Sequence, residues 1–404
     1  MTKKITYLLG AGASANTIPV VANMTQRISE IIEKLKQYRN ITTNITDQRQ
    51  ILLLPNTKQL QGQMLVNHYE TNLGKIIAYL EILKEQAGKH YTIDTLAKKY
   101  FLKGNHNELQ ELKRSLITYF TLEQFLFIAS ITDQKKGYSF EKNELDKRYD
   151  SFIASIAKRE NGELILNGNI NVLSWNYDSQ FELTLKNYVD SNNLNYLKEY
   201  FNIHPNSHDK PKVKGENYFG LIKINGTAIV EETPNGPFVP KTIFDFPIPN
   251  RMINVGTSDE INFLKRLGIY VDNYPDAFLT SQVKKDPVEF FNFAWEHENS
   301  NENLEKAEKI ASKTEILVVI GYSFPIFNRE IDNKLFSKMK KLKKVYIQDK
   351  EPDNIKLTME NAFEIFQRTI PLANRGAVDD VPVINFHLQK NTNQFVIPYE
   401  LNQG

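Results

Sequence analysis

The chain contains no cysteine. That absence removes disulfide scaffolds, thiol nucleophiles and cysteine-ligated zinc together, and it fits a reducing cytoplasm. An excess of one charge is also missing. Fifty basic side chains against 48 acidic ones leave a formal net charge of +2, which gives neither a basic footprint for nucleic acid nor an acidic solvating character. No apolar run approaches the ~18 to 20 residues that span a bilayer. The N-terminal MTKKITYLLGAGAS has two lysines and an apolar stretch, but the stretch is too short for a signal-peptide core and glycine interrupts it. The expectation is a soluble, cytoplasmic protein. Histidines 68, 90, 106, 297 and 387 show no metal-ligand spacing and read as surface or core positions. Internal repeats, low-complexity tracts, a Walker loop and a nuclease motif are absent too.

What is present is enough for a large core: 404 residues, of which 41% are hydrophobic. Lys4 to Leu9 reads as a strand, followed by a glycine-rich loop and a helix from about Ala22 to Gln37. In that helix Met24, Ile28, Ile31, Ile32 and Leu35 recur at three- and four-residue steps and form one buried stripe. Residues 40 to 160 read as a helical insertion, and residues 228 to 290, rich in proline, asparagine and aromatics, as an irregular one or a lid. Strand patterns return in INVLSW (170–175) and GLIKI (220–224). From 301 onward, apolar strands EILVVIG and KVYIQD alternate with helices. The fold expected is α/β: a Rossmann-like parallel sheet with helices on both faces, occupying 1 to 370, plus a hairpin-like tail over 371 to 404.

Four strand-end loops carry polar residues of the kind that such folds direct at ligands. GAGASANTIP (10–19) lies between a strand and a helix, the context of a phosphate cradle, although it lacks the third glycine of the dinucleotide fingerprint and equally suits a tight turn. Asn176-Tyr177-Asp178 follows a buried strand; Asn176 can orient a water or hydroxyl, or close a turn, and Asp178 can hold a ligand, or cap the next helix. GYSFP places Gly321, Tyr322 and Ser323 after a third strand, and Gln348-Asp349 ends a fourth. The lysine cluster KMKKLKK (338–344) reads as a solvated helix end.

Taken in order, GAGASANTIP, WNYD, KINGTA, VVIGYSFP and the strand ending at Asp349 resemble the sirtuin family, in particular its bacterial sirtuin-like branch that hydrolyses NAD in antiphage defence. The resemblance covers the sheet-forming parts of 1 to 30 and 165 to 370. It implies that Gly10, Ala11, Gly12 and Ser14 line the NAD phosphates and that Gly321, Tyr322, Ser323 and Asp349 contact the ADP-ribose half. Asn176 would position the attacking water, and Asp178 would help to hold nicotinamide. It further implies a homo-oligomer and a partner such as a HerA-like ATPase, an Argonaute or a phage-protein sensor. The family's histidine base is replaced by Asn225, which accepts no proton near neutral pH. Either this branch needs no such base, or another group such as His204 substitutes, or the chain carries an inactivating His→Asn change. Val20, Val21 and Ala22 also depart from the deacylase pattern, and without cysteine the family's zinc module is excluded. Two further functions stand beside NAD hydrolysis: a nucleotide-binding module without turnover, and a protein deacylase.

Overall fold

A computed structural model describes residues 3–18, 23–33, 35–36, 74, 76–90, 92–125, 128–133, 137–141, 145–189, 201–205, 218–228, 288, 291–296, 302–369 and 384–403. Most of the proline-rich stretch at 228 to 290, the residues at 20 to 22, and His68 and His297 lie outside them.

The organising element is a parallel sheet of seven strands: β1 (Ile5–Leu9), β6 (Ile170–Ser174), β7 (Asn202–His204), β8 (Gly220–Lys223), β9 (Ile316–Ile320), β10 (Lys344–Gln348) and β11 (Asn385–Gln389). Their spatial order is β11-β10-β9-β1-β6-β8-β7. Chain order leaves β1 at the centre, passes to β6, then to the edge strand β7 and back to β8 between them, and resumes with β9 on the other side. Such a reversal places the topological switch point, where open α/β sheets bind ligands, between the carboxyl ends of β1 and β9. Two small antiparallel pairs stand apart, β2 (Ile128–Asp133) with β3 (Gly137–Glu141) and β4 (Ala157–Glu160) with β5 (Glu163–Leu166).

β1 and β9 are buried at every position, so both sheet faces must be covered. One face takes Leu8, Leu173, Ile222, Val319 and Ile347 against helices α7 (Glu302–Ala311), α8 (Arg329–Lys338) and α9 (Pro352–Ala362). The other takes Tyr7, Leu9, Val172, Leu221 and Val318 against α5 (Lys147–Ile156) and α6 (Gln180–Lys186). A third core lies off the sheet. It joins α1 (23–33), α2 (76–89), α3 (Ile93–Leu102) and α4 (His106–Phe125) to Phe291, Phe293 and Trp295. The stripe of Met24, Ile28, Ile31, Ile32 and Leu35 is buried there, as its periodicity predicts.

The tail departs from its expected form. Its alternating residues suggest a hairpin, yet β11 joins β10 in parallel, with Tyr346 beside His387, and no second strand follows among the described residues. The reason is a local anchor. The buried Gln348 amide donates to Asn391 O (2.6 Å) and Gln394 O (2.5 Å) and accepts from Val396 N (3.0 Å), while Tyr7 donates to Val396 O at 3.0 Å. These bonds draw the chain after β11 back beneath the sheet, where Phe395 packs on Tyr149 and Phe152. β7, a three-residue strand with polar ends, gives no sequence signal and is also unexpected.

Replacing Gln348 with Ala strands these three partners and should destabilise the fold by about 2–4 kcal/mol. Urea denaturation measures that loss, and protease cleavage within 390–398 should precede global unfolding. A stability unchanged by the substitution would refute the anchoring role.

Candidate functional site

The loops singled out from the sequence stand side by side along the carboxyl edge of the sheet, in the order Asp349, Gly321, Gly10, Asn176, Asn225. At a strand spacing of about 4.8 Å the row extends roughly 19 Å. The register makes the last two neighbours: Ser174 pairs with Lys223 and Ile224 N donates to Ser174 O, so Asn176 and Asn225 end adjacent strands in step.

The glycine loop does something different from the expected cradle. Gly10 N donates to Ile320 O (3.0 Å), Gly12 N to Gly321 O (2.9 Å) and Ala13 N to Gly10 O (2.9 Å), so three of its amides are satisfied inside the fold. Residues Ala11–Ser14 form a 3-10 turn rather than the first turn of a long helix. The glycines permit backbone contact: a Cβ on Gly10 would lie 2.6 Å from Gly321 O, and one on Gly12 2.7 Å from the Gly321 Cα. Gly321 has φ +57°, and a Cβ there would meet the Gly12 carbonyl carbon at 2.5 Å. Ala11 and Ser323 are exposed, as are Ala15, Asn16 and Pro325 in the same two loops.

A buried polar network fixes Asn176. Its Nδ2 donates to Gly10 O (3.0 Å) and Ser14 Oγ (3.3 Å), which orients the amide and leaves Oδ1 as the acceptor to offer a ligand. Ser14 meets Tyr149 OH at 3.0 Å and also hydrogen-bonds Asp178. Burial pushes the Asp178 carboxyl above its ordinary range, against the opposing pull of Lys223, the Gln180 amide and Ser14. Asp178 accepts from Gln180 N at 3.0 Å, so it caps the start of α6 and holds Ser14 at once. Asp349 likewise accepts from Glu351 N at 3.0 Å, at the entry to α9.

Three further residues were not singled out from the sequence. Lys223, buried inside β8, donates to Asp178 O (2.5 Å) and Ser179 Oγ (2.9 Å) and pairs with Glu182 (2.6 Å), binding the β6 loop to β8. A lysine inside the apolar run GLIKI was the available signal. Arg148 pairs with Asp146 and donates to Gly12 O (3.2 Å) and Ala13 O (3.0 Å), holding the glycine loop from below. Asp332, fully buried on α8, accepts from Trp175 Nε1 (3.2 Å) and Tyr322 OH (2.7 Å), whose rings stack at 5.9 Å. Nothing in the sequence ties Asp332 to the strand ends.

The Tyr322 side chain is used inside the fold: it is 4% exposed, with its ring in the core and its hydroxyl on Asp332. His204 ends β7, the edge strand beside β8, where it pairs with Ile222; it is buried, bonds Asn202 Oδ1 at 2.8 Å and is lowered to about 4 by burial. Asn225 is buried, and its side chain hydrogen-bonds the Tyr177 hydroxyl, which donates to Asn292 O at 2.7 Å. Among the described residues no group of three metal-binding side chains exists, and no helix is long and apolar enough to cross a membrane.

Comparison with protein-family models, curated proteins and solved structures yields no match.

Alanine at Gly321 should cost roughly 1–2 kcal/mol for the left-handed backbone and about 1–3 kcal/mol more for overpacking, read as a lowered denaturation midpoint. Retention of wild-type stability would show that the two loops can separate freely.

Asp332 predicts a pH dependence. Burial raises its carboxyl to about 8, so the folded chain holds a proton that the unfolded chain releases near pH 4. Its contribution is full below pH 4 and is lost as pH rises to about 8. The stability of Asp332→Asn relative to wild type should therefore improve steadily across that window in chemical denaturation. A constant difference would show that the carboxyl is not protonated in the fold.

Proposed function

We propose that the strand-end crevice binds NAD and that the chain hydrolyses the nicotinamide–ribose bond, acting as the NAD-depleting effector of a bacterial antiphage defence system. The observation that carries this reading is Asn176, after β6: its amide nitrogen is held by Gly10 O and Ser14 Oγ, which ties it to the glycine loop of the neighbouring strand and leaves Oδ1 as its acceptor. A fixed acceptor suits the task of orienting a ribose hydroxyl or a water. It spends no reorganisation energy when the bond breaks.

In this reading the substrate extends along the row of strand ends. Ala11 and Ser323 meet the diphosphate, and Asp349, half-buried with one oxygen already used by Glu351, meets ribose hydroxyls through the other. The C1′–N bond breaks with its electron pair leaving on nicotinamide, the ribose passes through an oxocarbenium-like state, and water adds at C1′ as it loses a proton. Asp178 acts through Ser14 and the α6 cap, by positioning Asn176 rather than by touching nicotinamide. The same resemblance in sequence supports a homo-oligomer and a HerA-like ATPase, an Argonaute or a phage-protein sensor as partner.

One observation favours a second reading, a nucleotide-binding module without turnover. Asn225 stands where the sirtuin family has histidine, and its side chain is engaged by Tyr177.

Purified protein incubated with NAD should release nicotinamide and ADP-ribose, resolved by chromatography, and Asn176→Ala should lower the rate by about 100-fold or more. Asn225→His separates the two readings: faster release identifies a missing base. Binding of NAD by calorimetry with no product from either protein leaves only the binding module.

A further inference from the structure

The carboxyl of Asp332, fully buried on α8, touches a loop on each side of β1. Its Oδ1 accepts from Trp175 Nε1 at 3.2 Å, just after β6, and its Oδ2 accepts from the Tyr322 hydroxyl at 2.7 Å, just after β9. The two rings stack at 5.9 Å with 20° between their planes, in the core that β9 shares with α7, α8 and α9. β1 lies between β6 and β9, so the stack crosses one face of the sheet at the carboxyl end of β1.

Both ends of this tie lead to Asn176. On one side Trp175 precedes it in the chain; Trp175 N donates to Leu9 O at 3.0 Å, and Asn176 Nδ2 donates to Gly10 O at 3.0 Å. On the other side Gly10 is seated on Tyr322: a Cβ on Gly10 would lie 2.6 Å from the Tyr322 Cα and 2.7 Å from its Cβ. Asp332, Trp175, Asn176, Gly10 and Tyr322 therefore close a ring of contacts around the end of β1. Every link in that ring is a covalent bond, a hydrogen bond or a backbone packed on its neighbour. Densely packed groups with satisfied polar atoms have little room to shift singly. The ring thus fixes the Asn176 amide relative to the β9 loop.

We propose that Asp332 is a positioning residue for the strand-end crevice, holding Asn176 and the β9 loop at the spacing NAD requires by tying Trp175 to Tyr322. The inference rests on the NAD-hydrolysis reading above. Asp332 touches no substrate and acts only through its two partners. Its proton makes the tie reversible. Burial raises the carboxyl to about 8, against the opposing pull of the Tyr322 and Trp175 hydrogen bonds and of Arg329. The closed ring therefore favours the neutral carboxyl, and ionisation favours an arrangement in which water reaches it and the two partners move apart. The groups facing it are the Trp175 indole, the Tyr322 hydroxyl, which Asn328 also hydrogen-bonds, and Arg329 at the start of α8. Asp94 on α3 acts on the same Tyr322 hydroxyl.

Two variants test this. Asp332→Leu removes both hydrogen bonds at similar volume, whereas Asp332→Asn keeps them in a group that cannot ionise, with its oxygen accepting from Trp175 and its amide nitrogen donating to Tyr322. With kcat/KM for NAD hydrolysis followed from about pH 6 to about pH 10, the wild-type value should fall above pH 8 or so. Asp332→Leu should lose about 100-fold at neutral pH; Asp332→Asn should rescue that loss and lack the alkaline fall. The tie is also read without substrate. The chain has two tryptophans, so in a Trp295→Phe background the fluorescence of Trp175 should titrate near pH 8, and adding Asp332→Asn should abolish the transition. An alkaline fall that persists in Asp332→Asn, a flat fluorescence titration, or a folded Asp332→Leu with wild-type kcat/KM overturns the assignment and leaves NAD hydrolysis standing. If Asp332→Leu fails to fold, the pH profile of Asp332→Asn decides. A wild-type chain that releases no nicotinamide overturns the reading beneath the inference, and the inference with it.

Discussion

The contact on which the site depends is between two pieces of backbone. Gly10 and Gly12, after β1, lie against Gly321, after β9, so closely that a methyl group on any of them would penetrate its neighbour. Bonds from Gly10 N to Ile320 O and from Gly12 N to Gly321 O continue the strand pairing beyond the sheet. The switch point of a doubly wound sheet ordinarily opens there because the chain departs in opposite directions on the two sides. Here the floor of that opening is sealed, and whatever binds must lie above it. The glycine pattern thus reflects a constraint of packing, and only through that packing a constraint on a ligand.

Once the floor is fixed, polar groups beneath it can be held without water. Arg148 takes the carbonyls of Gly12 and Ala13, Asn176 takes that of Gly10, and Ser14 joins Asn176 to Tyr149 and Asp178. Lys223 and Glu182 then bind this set to β8. An unmatched charge in such a place is costly, and a matched one cannot rotate away. This resolves an apparent conflict at Asp178. Its capping of α6 and its contribution to the site are one role, because the capped carboxylate is the fixed point to which Ser14, and through it Asn176, is tied.

Much of this was legible in the sequence, for physical reasons that also mark where legibility ends. Short apolar strands alternating with helices announced the parallel sheet, and its four polar strand ends do line one edge. Side-chain direction was not encoded in the same way. Tyr322 sits within a polar loop motif yet turns into the core, because Asp332, ten residues on, accepts its hydroxyl and that of no ligand. Arg148 belongs to a segment that reads as insertion, and its bond to the glycine loop spans 135 residues of sequence. β11 shows the alternation of a half-exposed strand whether its neighbour is parallel or antiparallel; the choice was made by Gln348, through bonds to backbone that no pattern records.

The insertion and the sheet keep separate cores, and Tyr177 is one of the residues at which they meet. Its ring stacks on Phe291 within the helical core, its hydroxyl receives Asn225 and donates to Asn292, and its carbonyl accepts from Ala228 N. Its chain neighbours are Asn176, tied to the glycine loop, and Asp178, tied to α6. Rings in tight stacks transmit displacement because dense packing leaves them no room to yield. A shift of the ladder from Trp295 to Phe291 therefore reaches Asn176 through one peptide bond and Asn225 through one hydrogen bond. The helices beside the sheet are consequently part of the site's geometry, since Tyr177, Leu183 of α6, Ala228 and Phe327 of the β9 loop all pack into their core.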